Sequence, residues 1–372
     1  MLDEDQPWYV LRNVSEIPSP ALIVFPDRIE ENLRRMIAIT GGTDRLRPHI
    51  KTHKMPEIIR MKLALGITRF KAATIAEAEM AAQCGAPDVL YAYQPVGPNI
   101  ARFLELMRRF PDTRFCGLAD DENAIKAIST AASDVGVVVK LMLDLDCGQH
   151  RSGVEPGEHA LQLVRMLAQS PALKAAGLHA YDGHIHHTDL AARTAECEAA
   201  FLPVQKLRET LQAAGLHVPT IVAGGTPTFA IHAARNDVEC SPGTCVLWDH
   251  SYGSTLPDLD FLHAAVVLTR VVSKPASNRL CLDLGHKAIA SENPHPRVYF
   301  PALPDARFVG HSEEHMVLET PRAGEFRVGD AFYGIPWHIC PTVALHSEAV
   351  VIRDGSATET WKVTARDRRI SI

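Results

Sequence analysis

No stretch of about 18 uncharged apolar residues occurs in this 372-residue sequence, so a conventional transmembrane helix is excluded. The opening segment, MLDEDQPWYVLRNVSEIPSP, lacks the basic start and the apolar run of a secretory signal. A basic surplus is lacking too. The sequence holds 38 Lys and Arg against 44 Asp and Glu, a net charge of −6, which argues against nucleic acid or an anionic membrane as partner. Eight cysteines are scattered, not grouped, which argues against a disulfide scaffold and fits a reducing cytoplasm. Internal repeats, low-complexity tracts and the phosphate loop of nucleoside triphosphatases are all missing. What remains is an ordinary globular composition, 46% hydrophobic and 22% charged, at a length that suits a barrel with a smaller second domain. Eighteen histidines stand out, several of them in short clusters.

From about residue 20 to 255, short apolar runs alternate with amphipathic helical stretches. ALIVF (21–25), RPHIKT (47–52), RFKAAT (69–74), DVLYAYQP (88–95), TRFCGLAD (113–120), VGVVVKLMLDLD (135–146), KAAGLHAYDGHIH (174–186) and TIVAGG (220–225) each precede a helix-like segment. Eight strand–helix units predict an α/β fold, a parallel (β/α)8 TIM barrel. Beyond residue 260, strand-like segments dominate, among them HAAVVLTRVVSK, RLCLDLG and SEAVVIR. The expected organisation is a barrel over 1–255 and a C-terminal, mostly antiparallel β domain over 256–372, with the first 17 or so residues packing on the β domain.

Catalytic groups of such barrels lie at the C-terminal ends of the strands. Alternation along RPHIKTHK places His49 and Lys51 on one face. An inward lysine loses hydration and becomes a better nucleophile, and an imine with an aldehyde cofactor is its commonest use. A solvated basic loop with Lys54 is the alternative. Arg151 in DLDCGQHRSG can orient a cofactor, or lie in a surface turn. In YDGHIHHTD, which begins with Tyr181, alternation brings His184 and His186 together as proton carriers and turns His187 away; a loop capped by Asp189 is the plainer reading. Gly224, Gly225 and Thr226 open a helix and can cradle one phosphate, though a tight turn needs the same residues. In WHICPT, His338 and Cys340 alternate onto one face of an extended segment and can share a metal ion, with water or substrate completing the shell. A buried cysteine beside a core histidine is the alternative there. Asp283, His286, Glu313, Glu314 and His315 can support the metal ligands or meet a substrate carboxylate.

RPHIKTHK, AATIAEAEMA, DCGQHRSG, AGGTPT, SPGTC, DLGHKA, EEH and HICPT occur in this order, and together they resemble the D-threonine aldolase and D-serine dehydratase family. The resemblance spans about residues 18–372 and implies the pyridoxal 5′-phosphate barrel of alanine racemase. It implies that Lys51 carries the cofactor, that His49, Arg151 and Tyr181 surround it, and that Gly224, Gly225 and Thr226 with Gly243 and Thr244 bind its phosphate. It also implies a divalent metal (Mn, Zn, Mg or Co) on His338 and Cys340, a D-amino acid substrate and a homodimer. The expected reaction is retro-aldol cleavage of a D-3-hydroxy amino acid to glycine and an aldehyde. The metal would hold the β-hydroxyl, and His184 or His186 would take its proton. Dehydration of D-serine or D-3-hydroxyaspartate to an oxo acid and ammonia needs the same lysine and metal, and racemisation is a third possibility. Two segments depart from the family pattern. TCVLWD follows the PG pair where relatives carry an aromatic residue, and HIHH differs at the expected base. Single-barrel proteins that only carry the cofactor lack a β domain, which sets this chain apart from them.

Overall fold

A computed structural model describes residues 7–372 as two compact units. One comprises Arg34–Lys51, Ile58–Gly243 and Asp367–Ile372; the other comprises the chain up to Leu33, Thr52–Glu57 and Thr244–Arg366. No described helix is long and apolar enough to cross a membrane.

The first unit is built on a curled parallel sheet of seven strands. They run in chain order: Arg69–Ala72, Asp88–Tyr91, Arg114–Ala119, Val139–Asp146, Leu173–Tyr181, Ile221–Ala223 and Glu239–Cys240. Their interiors are mostly apolar, as expected for strands covered on both faces, with Lys71, Asp144 and His179 the buried exceptions. The intervening helices start where the sequence supplies caps. Thr74 accepts from the Glu77 amide, Asp121 from Ala124 and Asp189 from Ala192. Helix Ile75–Gln83 is buried from Ile75 to Ala82, which its alanine-rich sequence permits.

Three expectations need correction. The run at 21–25 forms the strand Ala21–Val24, but it pairs with Ala265–Ala276 and Glu348–Arg353 in the second unit's sheet. Its apolar residues are buried there equally well, so hydrophobic pattern alone could not name its sheet. The run at 47–52 is not a regular strand. Pro48 has no amide proton to give, and Ile50–Thr52 closes into a 3₁₀ turn. Leu46 still bridges to Cys240, and His49 to Lys71, so this segment joins the two edges of the seven-stranded sheet and takes the eighth place. The short strand Glu239–Cys240 replaces the one expected at 21–25 in the barrel count; in sequence it reads as a loop.

Arg47 anchors the joining segment. It is 4% exposed, with Nε 2.5 Å from Glu239 and Nη1 2.5 Å from Asp88. Backbone bonds from Arg47 N to Cys240 O and from His49 N to Pro242 O run alongside.

The second unit is mostly antiparallel. Its sheet runs Arg307–His311, Met316–Glu319, Arg279–Leu282, Ala265–Ala276, Ala21–Val24, Glu348–Arg353, Ser356–Lys362, with Ala331–Pro336 also on Ala265–Ala276. Trp8, Tyr9, Leu11 and Ile17 pack in one core with Val266, Leu268, Tyr333 and Ile352. Of the first 17 residues, 1–6 lie outside the described part of the chain. A second correction of element type falls at HICPT. His338 is extended, but Ile339–Leu345 is helical, so His338 caps the helix and Cys340 lies in its first turn.

Replacing Arg47 by Met removes the buried cation that Asp88 and Glu239 share and leaves them only the more exposed Arg114, 3.3 Å from Asp88, and Arg69, 3.5 Å from Glu239. The variant is expected to lose about 2–3 kcal/mol of unfolding free energy, less than a fully uncompensated buried pair would cost, read from the urea midpoint.

Candidate active site

Three cations surround one aromatic ring in the first unit. Tyr181 ends the strand Leu173–Tyr181. Lys51 Nζ lies 5.9 Å from its ring centroid, Lys71 Nζ 5.1 Å and Arg151 Cζ 5.0 Å. Lys51 reaches this point from the 3₁₀ turn, and its amide donates to His49 Nδ1 at 3.3 Å. His49 is buried; desolvation, then the charges of Lys51 and Lys71, hold its pKa well below the usual histidine range. It is a neutral ring wedged beside two amines.

Lys71 was not expected. It is 3% exposed, and burial followed by the charge of Lys51 lowers its pKa to about 7, against the pull of Asp144 and Asp182. The signal was available in RFKAAT, where a lysine sits near the end of an apolar strand, as Lys51 was thought to. Asp144 and His179 were missed as well. Their side chains meet at 2.7 Å, and Ser152 donates to Asp144 at 3.0 Å. Burial would raise the Asp144 pKa, but these bonds outweigh it and the group is held low. His179 Nε2 and Ser241 Oγ are buried without a hydrogen-bond partner.

The glycine turn lies at the same end of the sheet. Gly224 has φ +76°, and a Cβ there would stand 2.6 Å from the His232 ring; a Cβ on Gly225 would stand 3.0 Å from the Tyr181 ring. Gly225 N donates to Thr228 Oγ1, which donates to Asp182 at 2.8 Å. Thr226 Oγ1 accepts from Gly243 N at 3.2 Å. Thr244, in contrast, belongs to the second unit, where its hydroxyl lies 3.6 Å from Cys340 Sγ. Lys51, His49, Arg151, Tyr181, Gly224, Gly225, Thr226 and Gly243 therefore share one unit. Its amines, flat ring, side-chain-free backbone and unmatched polar atoms fit a planar, phosphorylated aldehyde such as pyridoxal 5′-phosphate.

His184 and His186 do not share a face. The strand ends at Tyr181, so a period of two no longer applies. His184 is half-buried against Gly148, with Nδ1 lacking a partner. His186 is exposed, and His187, also exposed, pairs with Glu196 at 2.6 Å.

Asp182, Cys197 and His232 form a buried cluster whose ligand atoms lie within 4.8 Å of one another, close enough for a metal. Their hydrogen bonds favour another role. Arg235 Nη1 faces His232 Nδ1 at 3.1 Å, and a guanidinium can only donate. His232 Nε2 therefore carries the proton that it gives to Asp182 at 2.8 Å. The chain Arg235–His232–Asp182–Thr228–Gly225 braces the glycine turn.

The second unit holds the other donor set. His338 Nδ1 is 2.5 Å from Glu292 Oε1, and Thr52 Oγ1 is 3.2 Å from Cys340 Sγ. Burial alone would lower the His338 pKa, but Cys340, Glu292 and Asp249 raise it to about 9. Asp249 is itself buried, which lifts its carboxyl to about 6, and it accepts from the Ile339 amide at 3.1 Å. Imidazole, thiol and carboxylates converge on a place that favours positive charge, and this donor set suits a divalent ion. Glu292 and Asp249 were not singled out from sequence; they lie 46 and 89 positions before His338, with no local motif to mark them.

Residues 24–249 match the alanine racemase N-terminal domain and residues 264–352 a putative serine dehydratase domain. D-threonine aldolase from an Arthrobacter species is 30% identical over 95% of this chain and 94% of its own. 3-Hydroxy-D-aspartate aldolase from Paracoccus denitrificans is 29% identical over 95% and 93%. The crystal structure of D-threonine aldolase from Filomicrobium marinum superposes with a TM-score of 0.88 at 29% identity, covering 95% of this chain and 96% of that one. The fold is alanine racemase-like.

Lys71 supplies a test. Its folded pKa lies below the ordinary 10.5, so the unfolded chain binds the proton more tightly and stability rises with pH between about 7 and 10.5. In cofactor-free protein, Lys71→Met is expected to raise Tm by about 5 °C at pH 6, where the buried charge costs most. Scanning calorimetry should show that gain shrinking above pH 7.

Proposed function

We propose a function for a chain that belongs to the D-threonine aldolase family and carries its alanine racemase N-terminal domain: cleavage of D-3-hydroxy amino acids to glycine and an aldehyde. The enzyme is a lyase that uses pyridoxal 5′-phosphate and a divalent metal, and its substrate is a small amino acid. The gathering of Lys51, Lys71 and Arg151 around the Tyr181 ring, beside the glycine turn, carries this reading.

Lys51 is the amine that holds the cofactor's aldehyde carbon. The bound cofactor supplies an electron sink for the pair released when the Cα–Cβ bond breaks. Tyr181 offers a flat face for the ring, and Arg151 a permanent charge near its edge. Gly224 and Gly225 leave room for a phosphate at the backbone, and Thr226 with Gly243 completes that turn. His338 and Cys340 would hold the metal, whose charge acidifies the substrate hydroxyl. Glu292 fixes the His338 ring, as a carboxylate partner commonly does for a metal-binding histidine. Of the two histidines proposed to take the hydroxyl proton, His184 is half-buried with a ring nitrogen that lacks a partner, and it is preferred over exposed His186 on that ground.

Dehydration is the second reading. The Cys340 thiol beside His338 and the serine dehydratase match over 264–352 favour it. A homodimer, supported by the resemblance, and a cytoplasmic location, supported by the scattered cysteines, complete the proposal; light scattering checks the first.

Incubation with cofactor, metal and D-threonine decides the reaction. Glycine with acetaldehyde is expected; 2-oxobutyrate with ammonia would replace the aldolase by the dehydratase, and L-threonine would replace both by a racemase. Chelation should lower turnover at least about tenfold, and Glu292→Gln should weaken metal binding by about 10- to 100-fold. Lys51→Ala should erase the visible absorbance of bound cofactor; a band that persists would move the attachment elsewhere.

A further inference from the structure

The parallel sheet has a second end, where its strands begin. Alternation along Val139–Asp146 puts Lys140, Met142 and Asp144 on one face. Asp144 belongs to the charged groups near Tyr181, and Met142 packs in a buried apolar cluster with Leu90, Cys116, Leu118 and Val222. Lys140 lies on the far side of that cluster. The apolar side chains thus stand between the Lys51 end of the sheet and its opposite end.

At the opposite end a cavity of about 300 Å³ opens, a volume at the lower limit for small-molecule sites. Five cations line it, Arg47, Arg69, Arg114, Lys140 and Lys174, against two carboxylates, Asp88 and Glu239. Both carboxylates are already engaged. Arg47 bonds each at 2.5 Å, Arg114 lies 3.3 Å from Asp88, and Arg69 lies 3.5 Å from Glu239. The bonds of Arg47 run from Nε and Nη1; Nη2 of this 4%-exposed side chain makes none.

Lys140 and Lys174 form no ion pair or side-chain hydrogen bond with any described residue. The first is half-buried, the second exposed, and they stand directly opposite each other on neighbouring strands. Like charges placed so on a sheet repel and cost stability. Burial pushes the nearby Cys116 thiol up to about 12, and Arg47 and Lys140 both pull against that, so the two cations approach one point from different sides of the barrel. The N-terminal end of a barrel ordinarily serves stability. The Arg47 cluster does so here, whereas the lysine pair works against it. An excess of three positive charges faces the cavity, and the lining has no carboxylate left to match it.

We propose that this cavity binds a phosphate group, held among Lys140, Lys174 and Arg47, with room beside it on Met142, Ala175, Ala176 and Pro219 for the carbon part of a small phosphate ester. A phosphate dianion matches most of the excess charge, and its tetrahedral oxygens can meet donors arriving from several directions, whereas a carboxylate offers two oxygens in one plane. The site is separate from the glycine turn at the other end of the sheet and does not depend on the reaction class proposed above.

Calorimetry with glycerol 3-phosphate tests this on the cofactor- and metal-loaded enzyme, whose glycine turn is then filled. Saturable binding at one site per chain is expected. It should weaken at least about tenfold in Lys140→Gln/Lys174→Gln and stay as in wild type in Lys126→Gln, which removes an exposed charge from a helix. Relief of the lysine repulsion should leave the ligand-free Tm of the double variant no lower than that of wild type, so lost binding is not lost folding. The ester should raise the Tm of wild type and leave that of the double variant unmoved. Absence of binding, or binding that the double variant retains, overturns the proposal, as does succinate that binds as tightly as the ester. Inorganic phosphate distinguishes the sources: weaker binding than the ester supports a phosphorylated metabolite as ligand, and tighter binding supports the free ion at the same site.

Discussion

A buried guanidinium gripped by two carboxylates is the constraint from which the Lys51 end of the parallel sheet follows. Arg47 reaches Asp88, on the second strand of the parallel sheet, and Glu239, on the last. It therefore ties the irregular segment 45–49 to both margins of the sheet at once. Backbone bonds to Cys240 and Pro242 fix the height of that segment, and the turn Ile50–Thr52 follows immediately. Lys51 inherits its place from this arrangement. Burial of three charges is costly in itself, but here every charge has a partner and the gain is a defined position for the turn that carries Lys51.

Electrostatics at that end are deliberately unbalanced. Asp144 is occupied by His179 and Ser152, and Asp182 by His232 and Thr228. Neither carboxylate is left to match Lys51, Lys71 and Arg151 individually. Under the proposed assignment, a doubly charged phosphate ester would bring the missing negative charge, and cofactor affinity and fold stability would be coupled through the same groups. The second unit repeats the logic with the signs exchanged, since thiol and carboxylates there crowd around one imidazole.

Much of this was legible in the sequence because chemistry-bearing residues cluster at strand ends. Lys51, Arg151, Tyr181 and the glycine turn could be found by asking which residues a barrel would bring to one mouth. Period-two reasoning failed wherever the strand had already ended. His338 and Cys340 flank the start of a helix, and His184 and His186 follow the last residue of their strand. Lys71 was hidden by its apolar neighbours. Glu292, Asp249 and His232 act through contacts made across tens of residues, and no local pattern announces such partners. The sheet to which Ala21–Val24 belongs was equally invisible, because an apolar strand is at home in either.

That strand carries a consequence for how the protein is made. Ala21–Val24 is flanked by Ala265–Ala276 on one side and Glu348–Arg353 on the other. Both partners leave the ribosome after the whole parallel sheet has been synthesised. The apolar, hydrogen-bond-hungry segment therefore waits for Ala265–Ala276 and then for Glu348–Arg353 before both its edges are paired. Loop closure over more than 300 residues is slow, and unpaired edges invite association in the interval. The second unit can thus complete its sheet only once Glu348–Arg353 has been synthesised, long after the strand it flanks.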